Sequence, residues 1–108
     1  MKNCVRFICL VMALSLGIGS VAFAADYSSR YGDTVLKYSK VVKRVVKNLQ
    51  ADLNKNTSYT LPINGVYNDK TVKAVKAFQK DKKLEVDGKT GKNTKTKLYP
   101  LRDKNVEY

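Results

Sequence analysis

Nine residues, Ile63-Asn64-Gly65-Val66-Tyr67-Asn68-Asp69-Lys70-Thr71, recur in pattern as Val86-Asp87-Gly88-Lys89-Thr90-Gly91-Lys92-Asn93-Thr94, at a constant offset of 23. Each copy is preceded by a large apolar residue and a glutamine, Leu49-Gln50 and Phe78-Gln79. A repeat of this period is one helix-turn unit that cannot bury its apolar side alone. Two copies are too few for an open solenoid, so the units must close on each other. Within each copy the chemistry is that of a turn entering a helix. Gly65 and Gly88 supply positive φ, Asn68 and Gly91 fall where the next helix needs its cap, and Thr71 and Thr94 lie in its first turn.

The periodicity around the repeat is helical. Apolar residues at 35, 38, 42, 45, 46, 49 and 53 form one stripe at about 100° per residue, with Lys37, Lys40, Lys43, Arg44 and Lys47 on the opposite arc. This predicts an amphipathic helix capped by Asp33 or Thr34 and ending near residues 54–56. Thr57, Ser58, Thr60 and Pro62 mark a loop. A second helix is expected from about 69 to 82, burying Val72, Val75 and Phe78, and a third from about 92 to 99, stopped by Pro100. The expected core also draws on Ile63, Val66, Leu84, Val86 and Leu98. The reading is an all-α, three-helix bundle of two helix-turn repeats over residues 34–99, with a flexible lead at 25–33 and a loosely held tail at 100–108.

The segment 1–24 reads as a secretory signal peptide. Lys2 and Arg6 precede the apolar run from Phe7 to Leu16, Gly17, Gly19 and Ser20 loosen it, and Ala22-Phe23-Ala24 is a small-x-small cleavage site. An uncleaved membrane anchor is the alternative. Cys4 and Cys9 lie too early in the run to carry a lipid anchor. Cleavage would leave a chain from Ala25 to Tyr108 without cysteine, so helix packing rather than disulfides must hold it. It would also remove two of 21 basic and none of nine acidic residues, leaving a charge of +10. Such a chain is drawn to polyanions, and export directs it to a cell wall or periplasm, away from nucleic acid.

The ordered set Val46-x-x-Leu49-Gln50-x-x-Leu53, Ile63-Asn64-Gly65-x-Tyr67-Asn68-x-x-Thr71-x-x-Ala74-Val75-x-x-Phe78-Gln79 and Leu84-x-Val86-Asp87-Gly88-x-x-Gly91-x-x-Thr94-x-x-x-Leu98 resembles the bacterial peptidoglycan-binding domain. The resemblance covers about residues 35 to 99. It implies a helical module that holds peptidoglycan in a shallow groove near its loops and turns. The side chains placed there are Tyr59 in the long loop, Asn64 and Tyr67 at the first turn, and Asp87 and Lys89 at the second. A tyrosine can lay its ring on a sugar or methyl group while its hydroxyl hydrogen-bonds. Tyr67, from its place in the repeat, is expected to pack against the core. Asn64 stands where the family usually has aspartate and Asn68 where it usually has glycine. Both tolerate the turn.

The residue inventory argues against catalysis. The chain has no histidine, which excludes Ser-His-Asp and Cys-His arrangements and histidine-ligated zinc. A glycosidase needs two carboxylates across a cleft, whereas Asp69 and Asp87 fall at helix starts or turns. No metal, cofactor or accompanying hydrolase domain is expected. The expected partner is peptidoglycan, with anionic wall polymers and a separate wall hydrolase as further candidates. Lysine outnumbers arginine 17 to four, which suits diffuse attraction better than bidentate recognition of one phosphate. The lysine stripes themselves read as solvated helix faces. Two rival functions use the same chain: a secreted protein-interaction or inhibitor module, and a charge-driven binder of anionic polymers or membrane.

Overall fold

The computed structural model describes residues 27–108. The expected signal peptide at 1–24 lies outside the described residues. The helices are α1 (Tyr27–Tyr31), α2 (Arg44–Asn56), α3 (Asp69–Asp81) and α4 (Lys92–Leu98), the last running into a 3-10 turn at Tyr99–Leu101. The described chain is all-α, as the repeat predicts.

Helix α2 buries Val46, Leu49 and Leu53, one residue per turn of a single stripe. At its end the Thr57 hydroxyl donates to the Leu53 carbonyl at 2.6 Å. Helix α3 starts where predicted because Asn68 caps it, its Oδ1 accepting from the N–H and the hydroxyl of Thr71, each at 3.0 Å. Asp69 adds a negative charge to that first turn. Ala74, Val75 and Phe78 of α3 meet Leu49 and Leu53 in the core, which Leu98 of α4 closes. Helix α3 ends in a Schellman motif: Leu84 N–H donates to Gln79 O at 2.8 Å and Lys83 N–H to Lys80 O at 3.2 Å. Lys83 is the left-handed residue of that motif, at φ 61°.

Of the positions expected in the core, Ile63 and Val86 are exposed, at 38% and 49%. They precede the turn glycines.

The first long helix begins at Arg44, well after the start that the periodicity predicts. Residues 33–43 form an extended strap, which bridges antiparallel to both turns, Leu36 to Thr90 and Ser39 to Tyr67. Leu36 N–H and O bond Thr90 at 3.1 and 2.7 Å, and Ser39 N–H donates to Tyr67 O at 3.1 Å. Lys43 N–H then donates to Gly65 O at 2.9 Å just before α2 begins. Leu36, which lies off the predicted stripe, is the residue that reaches the core. Val35, Tyr38, Val41 and Val42 face outward, 52 to 62% exposed. Their helical spacing is coincidental, because the backbone groups of this segment find partners in the turns instead of in a helix of their own.

Residues 27–33 of the expected lead and the expected tail at 100–108 both meet one buried carboxylate. Asp52, on α2, accepts from Arg30 Nε and Nη2 at 2.7 and 2.6 Å, from the Tyr31 hydroxyl at 2.6 Å, and from Asp103 N–H at 2.8 Å. Arg30 and Tyr31 of α1 are therefore buried, and the tail is fixed against the same helix. Asn48 repeats the arrangement one turn earlier, donating to Arg30 O at 2.9 Å and accepting from Tyr108 N–H at 2.8 Å. A buried ion pair adds little net stability over an apolar substitute, but breaking one costs about 3–5 kcal/mol. The pair thus fixes where α1 sits more than it deepens the fold. Lys95 of α4 holds the next stretch, its ammonium donating to Gly32 O and Thr34 O at 2.7 and 2.6 Å.

Candidate functional site

Each turn is held by the glutamine that precedes it. Gln50 Oε1 accepts from the N–H groups of Asn64 and Gly65 at 3.0 and 2.9 Å, while its Nε2 donates to Val66 O, Asn64 Oδ1 and Thr71 Oγ1. Gln79 repeats this at the second turn. Its Oε1 accepts from Asp87 and Gly88 N–H at 3.1 and 3.0 Å, and its Nε2 donates to Lys89 O, Asp87 Oδ1 and Thr94 Oγ1. A primary amide can do this because it carries an acceptor and two donors on one flat group. The repeated Gln, Asn/Asp, Gly and Thr are therefore one hydrogen-bonded clasp, made twice. Asn64 serves the first clasp as Asp87 serves the second, since only an acceptor oxygen is needed. Each also accepts from the N–H two residues on, Val66 at 3.0 Å and Lys89 at 2.9 Å.

The glycines are required by this geometry. Gly65 and Gly88 adopt φ of 80° and 76°. A Cβ on Gly65 would come within 2.9 Å of Lys43 O, and one on Gly88 within 2.9 Å of Val72 Cγ1.

The five residues singled out from the sequence separate into two groups. Tyr67 is buried, and its hydroxyl donates to Gly88 O at 2.7 Å and pairs with Thr90 Oγ1 at 2.9 Å. Burial raises its pKa well above the ordinary phenol value, so it stays a protonated donor that bolts one turn to the other. Tyr59 is half-buried against the core. Asn64 is exposed, but its side-chain oxygen is engaged in the first clasp. Asp87 and Lys89 line two depressions.

On one side of the Asp87–Lys89 ridge is a groove of about 330 Å³ bounded by Leu84, Glu85, Lys92 and Asn93. On the other is a hollow of about 210 Å³ formed with Lys37, Tyr38, Val72 and Gly88. The N–H of Lys89, the Gln79 amide and the Lys89 charge together hold the Asp87 carboxyl below its usual range, against a smaller desolvation effect. It is thus ionised at neutral pH. Lys37 and Tyr38 are hidden from sequence reasoning because the strap has a helical period, which assigns Lys37 to a solvated face and Tyr38 to the core.

Among the described residues there is no cluster of three or more potential metal ligands, and no helix is long and apolar enough to cross a membrane.

Two helix-turn units, each closed by a glutamine clasp and sharing one core, define a small helical repeat module with two depressions flanking its second turn. The family model described as "Putative peptidoglycan binding domain" matches residues 43–98, more than half of the 108-residue chain. The chain belongs to that family. No curated protein and no solved structure gave a match.

Proposed function

We propose that the protein is a secreted, non-catalytic module that holds peptidoglycan non-covalently on the face carrying Asp87 and Lys89. Membership of the peptidoglycan-binding family carries this reading. The position of the two residues supports the choice of face, since they border both depressions at the second turn. Such shallow, open depressions suit a repeating polymer that offers several weak contacts. The non-catalytic part rests on the residue inventory: no histidine in the chain, and an Asp52 carboxylate committed to Arg30, Tyr31 and Asp103. Secretion rests on the signal-like segment from Met1 to Ala24.

The test is retention of the protein on purified peptidoglycan freed of teichoic acid, at low and high salt. The probe variant is Asp87→Asn with Lys89→Ala, which keeps the acceptor oxygen of the clasp and removes both charges. Retention that survives 1 M salt, where the Debye length is about 3 Å, and that falls in the double variant supports the assignment. Binding that disappears with salt would leave a charge-driven polyanion binder. No binding at all would leave a protein-interaction module.

A further inference from the structure

We propose that the hollow between the strap and the second turn is a subsite for the C-terminal carboxylate of a short peptide with small apolar side chains. It deepens the peptidoglycan reading, on which it rests for the source of the peptide. The strap that builds half of it precedes the residues matched by the family model, which begin at 43.

The first argument is what the turn has left to offer. Gly88 N–H is bound to Gln79 Oε1, Gly88 O to the Tyr67 hydroxyl, and Lys89 N–H to Asp87 Oδ1. With these main-chain groups satisfied, the turn meets a ligand through its side chains. The residues bordering the hollow are Lys37, Tyr38, Val72, Asp87, Gly88 and Lys89, and its walls are mainly apolar.

The second is charge. Two lysines and one aspartate border the hollow, and the aspartate Oδ1 already accepts from the Gln79 amide and the Lys89 N–H. Neither lysine lies within ion-pair distance of a carboxylate among the described residues, where the recorded pairs are Arg30–Asp52 and Lys82–Asp81. The rim therefore carries a net positive charge and suits an anion.

The third is shape. At about 210 Å³ the hollow is smaller than the roughly 300–1,000 Å³ of pockets for drug-sized ligands. Tyr38, 52% exposed, and Val72 give it apolar walls. A cationic rim over apolar walls fits an anion bonded directly to a small apolar group, which a terminal alanine-like residue is and inorganic phosphate is not.

The test titrates the full chain with N-acetyl-dialanine, in L,L and D,D forms, following backbone amide resonances, alongside its C-terminal amide and inorganic phosphate. The acid should shift Val72, Gly88 and Lys89, and the amide should bind about ten-fold more weakly, or about 1.4 kcal/mol. Tyr38→Ala and Lys37→Gln, both at exposed positions, should weaken the acid similarly while leaving the rest of the spectrum in place. Equal binding of acid and amide, equal competition by phosphate, or shifts that avoid the hollow would each overturn the subsite. Retention on peptidoglycan is scored separately. Retention without a response to dialanine removes the subsite and leaves the wall-binding reading. A dialanine response confined to the hollow without retention does the reverse.

Discussion

Tyr67 and Thr90 hold the same position in the two copies of the repeat, and they touch: the Tyr67 hydroxyl lies 2.9 Å from Thr90 Oγ1 and donates to Gly88 O at 2.7 Å. The strap uses the same two positions, pairing Leu36 with Thr90 and Ser39 with Tyr67. Three segments remote in sequence are thus registered on one pair of equivalent residues. Tyr67→Phe keeps the ring and leaves the Gly88 carbonyl without that buried partner. The expected loss is about 1–3 kcal/mol, read as a lower urea midpoint at unchanged slope. Per folded molecule, retention on peptidoglycan should not change, because the hydroxyl faces the other turn and not a ligand.

The two clasps differ in one respect that a single substitution exposes. Gln79 Nε2 donates to the Asp87 carboxylate, whereas Gln50 Nε2 donates to the Asn64 amide oxygen. Gln79→Glu would set a second carboxylate against Asp87 and against Lys89 O, costing about 3 kcal/mol at pH 7. The new carboxyl would have its folded pKa raised above the unfolded value of about 4.3. The folded state then binds the proton more tightly, so stability is retained below that unfolded pKa and lost as pH rises through the folded one. Urea midpoints at pH 4 and pH 7 should therefore diverge more from wild type at the higher pH. Gln50→Glu should suffer less, since Asn64 can turn its Nδ2 toward the new carboxylate. Equal losses at both pH values and both sites would refute the clasp.

Lys83 occupies the left-handed position that ends α3, at φ 61°. A side chain there costs roughly 1–2 kcal/mol relative to glycine in the folded state, partly offset by the greater freedom of glycine in the unfolded chain. Lys83→Gly should raise stability by about 0.5–1 kcal/mol on that difference. A calorimetric midpoint at or below wild type would show the strain to be absent.

The parts of this fold legible in the sequence are those that repeat. The spacing of Gln, Asn/Asp, Gly and Thr locates both turns, and Val75, Phe78 and Leu98 are readable as core because each lies on the inward stripe of a helix with a recognisable cap or stop. The errors share one cause. Leu36, Arg30 and Asp103 owe their positions to Thr90 and Asp52, partners far off along the chain, and no local period records such pairs. Val35, Tyr38 and Val42 mimic a helical stripe while lying in an extended segment. The candidate binding face is half legible: Asp87 and Lys89 follow from the motif, while Lys37 and Tyr38 depend on the strap.

The Asp52 arrangement bears on what counts as a module. Arg30 and Tyr31 approach that carboxylate from before the family-matched residues and Asp103 from beyond them, so the homologous segment, 43–98, excludes all three residues that donate to its own buried acid. The unit that similarity delimits is thus smaller than the unit that this buried acid ties together. In a graft or fusion, transfer of residues 43–98 alone would carry over an uncompensated charge at their centre.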